Sequence, residues 1–249
     1  MKIMEKLRAR LGRGSFQPTI LNLVGSPDYI IRRGLYLAIK VLAPTITGNV
    51  LDFGCGSKPY ESLFSEAASY IGVDLEATGH DHSNSKIDVL YDGKVLPFKD
   101  GQFDAVVSFE VLEHVFNLSE VMREINRVTT DSGYLLISVP FTWLEHEIPY
   151  DFARYTSFGI THIVKQAGYE IIEIRKTTTY LLAVFQIFLA YLTQAIQLPR
   201  VLRPLRQLCI VFPCTVAAYA FDAALPKRHE YFCNTVLLAR KVASKPAEW

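Results

Sequence analysis

From residue 48 the chain alternates short apolar runs with segments of helical character, and this alternation constrains the fold more than any other feature. Residues 49–53 (NVLDF), 70–75 (YIGVDL), 87–90 (IDVL), 103–109 (FDAVVSF) and 134–139 (YLLISV) read as strands, with Asp88 the awkward member. Residues 170–175 (EIIEIR) alternate as a half-exposed strand does, and 234–239 (NTVLLA) form a late seventh. Between them lie helix candidates: Asn117 or Ser119 can cap 119–128, and Ser157 can cap 157–167, which Gly168 ends. Strands separated by helices imply an α/β fold, a parallel sheet with helices on both faces.

The 249 residues suit one large α/β domain with an insertion. Lys and Arg number 26 against 25 Asp and Glu, a net charge of +1, so the basic excess of a nucleic-acid protein is missing. Four cysteines (Cys55, Cys209, Cys214, Cys233) show no metal-ligand or disulfide-ladder spacing, which fits free thiols in a reducing cytoplasm. The first residues, MKIMEKLRARLGRGSF, lack the apolar core of a signal peptide. Ile3, Leu7 and Leu11 give them an apolar stripe among basic residues, either a helix packed on the domain or one lying on anionic lipid.

The stretch 51–60, LDFGCGSKPY, ends the first strand at a glycine turn of the kind that cradles a nucleotide-like ligand. Ser57 can cap a following helix and Pro59 suits its first turn. A dinucleotide is the first candidate, because Asp74 lies about 20 residues on, where a ribose-binding acid belongs. Two details oppose it. Pro59 holds the place of the third glycine, and Asp52 would repel a diphosphate by several kcal/mol at an effective dielectric of ~20. The same carboxylate suits a cationic ligand without phosphate, and S-adenosylmethionine, with its ammonium and sulfonium, is one. A turn-capping role for Asp52 stays open from the residues alone.

The motifs VLDFGCG, YIGVDL, VLPFKDGQFDAVVSFEVLEHV and GYLLISVP, in this order, resemble those of the class I S-adenosylmethionine-dependent methyltransferases, in the small-molecule branch with an LPF…FD…LEH pattern. The resemblance spans roughly 48–175 plus the last strand. It implies a Rossmann-like seven-stranded sheet whose last strand is antiparallel and inserted beside the sixth. It places Asp52, Gly54, Cys55 and Gly56 on the methionine side of the cofactor, Asp74 and Leu75 at ribose and adenine, Asp92 at the adenine amine, and Phe109 with Glu110 on the floor of the transfer site. The helical element usual between strands two and three is not visible, since 76–86 reads as loop.

The acceptor side falls on 140–156, PFTWLEHEIPYDFARYT, where Trp143 and Tyr150 offer stacking surfaces and Arg154 a partner for a carboxylate or phosphate, or for Asp151. A hydroxyl acceptor needs a base, and His146, His114 and Glu145 are the candidates. A helix starting near Leu112 would turn one of Glu113 and His114 inward; the pair could equally serve structure alone. No metal is expected. Consecutive residues such as Glu145, His146 and Glu147 rarely converge on one ion, and His80, Asp81 and His82 read as a solvated loop.

More than fifty residues separate strands six and seven, where this family needs only a hairpin. Residues 177–199 carry no charge, 207–221 are uncharged but interrupted by Pro213, and Arg200, Arg203 and Arg206 lie between. A shallow helical hairpin on a membrane surface fits, with arginines at headgroup level; a soluble helical cap or dimer face is the alternative. The expected organisation is a helical cap over 1–45, a methyltransferase domain over 46–176 and 230–243, and an apolar helical insertion over 177–229. The expected activity is methyl transfer to a small-molecule or lipid-linked acceptor at oxygen, in the cytoplasm or at the inner face of the membrane. A non-catalytic cofactor-binding module and an NAD-dependent oxidoreductase are the alternatives.

Overall fold

The computed structural model describes residues 16–76 and 85–242. The expectations for the first helix and for His80, Asp81 and His82 lie outside these residues. The strands are β1 (Gly48–Phe53), β2 (Ala67–Leu75), β3 (Val89–Tyr91), β4 (Phe103–Phe109), β5 (Thr129–Pro140), β6 (Tyr169–Lys176) and β7 (Asn234–Lys241). The helices are α1 (Ile20–Gly25), α2 (Tyr29–Leu42), α3 (Leu118–Val128), α4 (Ser157–Gln166), α5 (Tyr180–Ala195) and α6 (Arg200–Ala224). Two compact units result, one of residues 39–175 with 235 onward, the other of residues up to 38 with 176–234.

The first unit carries a seven-stranded sheet of order β3-β2-β1-β4-β5-β7-β6. β1 pairs in parallel with β2 and β4, β2 with β3, and β4 with β5. Val242, just past β7, donates to the Gly168 carbonyl, just before β6, at 3.0 Å; Thr177, just past β6, donates to Asn234 at the start of β7, also at 3.0 Å. The ends therefore meet head to tail, and β7 runs antiparallel to β6. The strands are short apolar runs because both faces are covered: Leu51, Val106, Leu135 and Leu237 are fully buried in one layer, and Val50, Val107, Leu136 and Val236 are fully buried at the alternate positions. α3 buries Leu118, Met122, Ile125 and Val128, a single helical stripe, in the same core as Leu135 and Ile137. Asp88 falls just before β3, where its Oδ2 accepts the Gly72 amide at 2.7 Å and pairs with Lys58, so a charge inside the apolar run is accounted for.

Local details differ from the sequence reading. Thr156, not Ser157, caps α4, its Oγ1 accepting the Gly159 amide at 3.0 Å. After β1 the helix expected from Ser57 and Pro59 shrinks to a 3-10 turn at Glu61–Leu63. Lys58 there is left-handed (φ 52°), and the segment instead packs Tyr60 and Phe64 on Phe109, with ring centroids 5.1 and 6.2 Å away. The helix expected near Leu112 is one 3-10 turn, Leu112–His114.

The second unit is built around α5 and α6. α6 runs through Pro213; a wider π turn, Gln207–Val211, precedes it where proline has no N–H to donate. Leu182, Leu189, Val211 and Ala218 form the contact, together with Ile30 of α2. Polar groups fix both ends of the hairpin. Thr179 caps α5 and bonds Asp222, which also holds Lys227. Arg206 donates to the Thr193 and Ile196 carbonyls at 2.8 and 2.9 Å, satisfying the C-terminal end of α5. Buried Gln186 accepts from the Ile31 amide at 3.0 Å, an orphan donor at the start of α2. Arg206 is thus a half-buried structural residue, while Arg200 and Arg203 stay exposed. Replacing Arg206→Ala should cost about 1–3 kcal/mol, the worth of hydrogen bonds from a charged donor, read as a lower midpoint in denaturant unfolding. An unchanged midpoint would show that the α5 end is held by other means.

Candidate functional site

The strand order reverses between β1 and β4, so the crevice at the carboxyl ends of these strands is where an open α/β sheet binds its ligand. β1 delivers the Gly54–Gly56 turn to it. Gly54 and Gly56 are left-handed, with φ 71° and 47°. A Cβ on Gly54 would sit 2.5 Å from Val111 Cγ1, so this glycine lets Val111 close on the turn. A Cβ on Gly56 would meet nothing within 4 Å, so the turn is open there. The Gly56 amide donates to Asp74 Oδ2 at 2.9 Å, and the Leu75 amide to Asp74 Oδ1 at 2.9 Å, so the acid that ends β2 closes the turn that ends β1.

Asp52 lies under the turn, 3% exposed, and its Oδ2 accepts the Tyr70 hydroxyl at 2.8 Å. Burial pushes its carboxyl up to about 7, against the lowering effects of the Tyr70 hydrogen bond and the Lys58 charge. Cys55 is also buried, facing Gly72, and burial pushes its thiol up, so it is packing rather than a nucleophile. Lys58 is held by Asp88 and the Tyr70 carbonyl. Leu75 and Leu90 are exposed apolar groups on β2 and β3, and Asp92 follows as an exposed acid whose Oδ1 accepts the Lys94 amide at 3.0 Å; backbone hydrogen bonds, that of Lys94 first, hold its carboxyl below the usual range. At the end of β4, Phe109 is half-buried and Glu110 is left-handed (φ 55°), a strained backbone of the kind kept at functional sites. Ser138 fixes Glu110 by donating to its Oε1 at 2.7 Å and accepting its amide at 3.1 Å.

Beyond Glu110, the Leu112–His114 turn meets the loop after β5. The Phe152 amide donates to the Glu113 carbonyl at 2.9 Å, and His114 Nδ1 lies 2.7 Å from the Tyr150 carbonyl. His114 and His146 stack edge to face with ring centroids 4.7 Å apart. Glu113 has no exposed side-chain surface, and burial, then the Glu110 charge, raise its carboxyl well above the usual range. Arg154 organises the loop. It clasps Asp151 through two nitrogens at 2.5 and 2.6 Å and donates to the Leu144 and Ala153 carbonyls at 2.8 Å, which holds Asp151 well below the usual carboxylate range. Trp143 is half-buried, Tyr150 exposed, and Glu145 exposed and outside the histidine pair.

The profile of a family described as "Methyltransferase domain" matches residues 30–174, more than half of the chain. The chain belongs to the S-adenosylmethionine-dependent methyltransferase family. A Mycobacterium tuberculosis protein named "Probable S-adenosylmethionine-dependent methyltransferase" is 33% identical over 136 residues, 49% of this chain and 50% of that protein. The chain thus spans about half the length of the curated relatives it matches. Among solved structures, an S-adenosylmethionine-dependent methyltransferase from Archaeoglobus fulgidus shares 15% identity at a TM-score of 0.53, over 94% of this chain and 99% of that one. Phosphoethanolamine N-methyltransferase 2 of Haemonchus contortus, in complex with S-adenosyl-L-methionine, shares 19% identity at a TM-score of 0.51, over 83% and 52%. At these identities the solved structures speak for the fold alone.

The crevice of this methyltransferase fits its family's cofactor. Asp74, Asp92 and Glu110 stand at or just past the carboxyl ends of β2, β3 and β4, with Asp52 buried beneath the turn, and acids at these ends favour a cationic ligand over a diphosphate. The sequence reading missed Tyr70 as the partner of Asp52. The parallel register that sets Asp52 opposite Gly72 puts Tyr70 on the same face, a relation visible only once the strands are paired. The raised Asp52 value has a sign. Its folded pKa lies above the unfolded ~3.9, so its contribution to stability is complete below about pH 4 and is lost as pH rises through about 7. Asp52→Asn should therefore gain thermal stability on the wild type as pH rises from about 4 to about 7 without cofactor, hold that gain above it, and bind S-adenosylmethionine about 10-fold more weakly. A stability gap that stays constant with pH would contradict the burial of an ionising Asp52.

Proposed function

We propose that the chain transfers the methyl group of S-adenosylmethionine to an oxygen of a small-molecule or lipid-linked acceptor, such as a glycan, glycolipid or quinone-like ring, at the cytoplasmic face of a membrane. The bound cofactor supplies a methyl carbon that its sulfonium makes electrophilic. The protein has to align the acceptor and exclude water. Asp52, Gly54, Cys55 and Gly56 form the methionine side, Asp74, Leu75 and Asp92 the nucleoside side, and Phe109 and Glu110 the floor. Trp143 and Tyr150 offer faces on which an acceptor ring stacks, and Arg154 shapes their loop by its hold on Asp151. Of the three candidate bases, His114 and His146 are in contact with each other, and they are the groups to which we assign the acceptor proton.

The observation that carries the membrane part is the exposed apolar surface of the α5–α6 hairpin. On α5, Tyr180, Val184, Phe188 and Tyr191 form an exposed stripe. At the start of α6, Val201 is 87% exposed, with Leu202, Leu205 and Leu208 exposed after it and Arg200 and Arg203 among them. α6 has 25 residues, long and apolar enough to cross a membrane, and only 17% of its most apolar stretch is buried. Both ends of the insertion must nevertheless return to neighbouring strands β6 and β7, which favours a hairpin lying on the surface. Exposed arginines beside exposed aliphatic side chains suit the boundary of an anionic bilayer.

The full chain should co-sediment with vesicles containing anionic lipid at low salt, and a Val201→Asp, Leu205→Asp double variant should stay in the supernatant. Wild-type protein left in the supernatant would reject the membrane reading. With labelled methyl donor and fractionated cell extract, label should enter the lipid or glycan pool in an alkali-stable linkage, and label confined to protein or nucleic acid would reject the acceptor class.

A further inference from the structure

The geometry points to a divalent-cation site in the methyltransferase sheet unit, formed by Glu113, His114 and His146 and suited to a first-row transition ion such as zinc. The strongest sign is an orphan. Glu113 is fully buried, and neither of its carboxylate oxygens has a hydrogen-bond partner. A buried carboxylate without a partner is costly by several kcal/mol, and it is relieved by taking up a proton, by a paired charge or by a metal. Arg154 is close enough to act on Glu113 electrostatically but directs its nitrogens to Asp151, to backbone carbonyls and to His146 Nδ1.

His114 supplies the second ligand. Its Nδ1 lies against the Tyr150 carbonyl, so the proton belongs there and the lone pair is on Nε2. That Nε2 is itself buried without a hydrogen-bond partner, 3.7 Å from Glu113 Oε1 and 3.5 Å from Glu147 Oε2. Donor atoms held at bonds of about 2.0–2.1 Å around a tetrahedral ion lie about 3.3 Å apart, so small movements would close the set. His146 supplies the third: ligand atoms of Glu113, His114 and His146 all lie within 4.8 Å of one another. His146 Nδ1 lies 3.2 Å from the Leu144 carbonyl, 3.3 Å from Asp151 Oδ2 and 3.4 Å from Arg154 Nη2; the two nearer acceptors put the proton on Nδ1 and leave Nε2 to bind. A backbone carbonyl behind one imidazole and a carboxylate behind the other are the supports that metal-ligating histidines commonly have. Two imidazoles with one carboxylate select a transition ion over magnesium or calcium, which take oxygen ligands.

The ion neutralises Glu113 and ties the Leu112–His114 turn to the loop after β5. It would also lower the pKa of a hydroxyl bound to it, so the two imidazoles are ligands in the loaded protein and take the acceptor proton only in the metal-free one. Cation binding is read directly and does not depend on the acceptor or membrane readings above.

Untagged full-length protein, stripped with chelator and titrated with Co2+ and then Zn2+, should take up one equivalent per chain, with visible d–d bands in the Co2+ form and a higher melting temperature. His114→Ala and His146→Ala should each weaken binding at least about 100-fold, and Asp151→Asn, which weakens the support of His146 and the Arg154 clasp together, by about 10-fold. His162→Ala, an exposed histidine outside the cluster, should bind as wild type does. If a ligand variant fails to fold, X-ray absorption of the wild-type Zn2+ form decides by counting two imidazoles. No stoichiometric uptake, an ion with fewer than two imidazoles, or uptake indifferent to both ligand substitutions would overturn the site.

Discussion

The hydrogen bond from the Gly56 amide to Asp74 joins the carboxyl ends of β1 and β2, and the cofactor crevice depends on it. It forms because the chain turns through two left-handed glycines immediately after the buried strand, bringing a backbone donor over the neighbouring strand's last acid. Glu110 across at β4 adds charge of the same sign, and buried Asp52 beneath adds its own as pH rises through about 7. The lining opposes phosphate and welcomes a cation, so one local conformation sets both the shape and the ligand class of the site.

The switch point at β1 and β4 then organises everything downstream. Glu110 leaves β4 in a strained left-handed conformation, held from both sides by Ser138, and the chain enters the single turn that carries Glu113 and His114. The loop after β5 comes back over that turn through the Phe152 amide and the Tyr150 carbonyl, and Arg154 and Asp151 fix its shape. The glycine turn and the histidine pair are thereby built from segments of one sheet unit.

Much of this was legible in the sequence, for local reasons. Each strand is a short apolar run bounded by polar or turn residues, and burial on both faces leaves no other use for such runs. The places of 52, 54, 56, 74 and 110 in the fold were legible because they lie within three residues of a strand end. What failed was capping and continuity. Ser57 and Pro59 look like a helix start, but the aromatic packing of Tyr60 and Phe64 on Phe109 prevails over that local preference. Pro213 reads as a break, yet a widened turn absorbs it. The meeting of His114 with His146 was not legible, because 31 intervening residues decide it and no period or spacing encodes that return. Glu145, His146 and Glu147 are consecutive and do not suit one ion together, whereas the ligands proposed above come from two separate segments.

The claim on which the rest depends is that the crevice takes a cation-bearing donor without phosphate. Calorimetric titration of the purified chain with S-adenosylmethionine and, separately, with NAD tests it most directly. Saturable one-to-one binding of S-adenosylmethionine with no heat from NAD is the result expected; tight binding of NAD with none of S-adenosylmethionine would contradict the account.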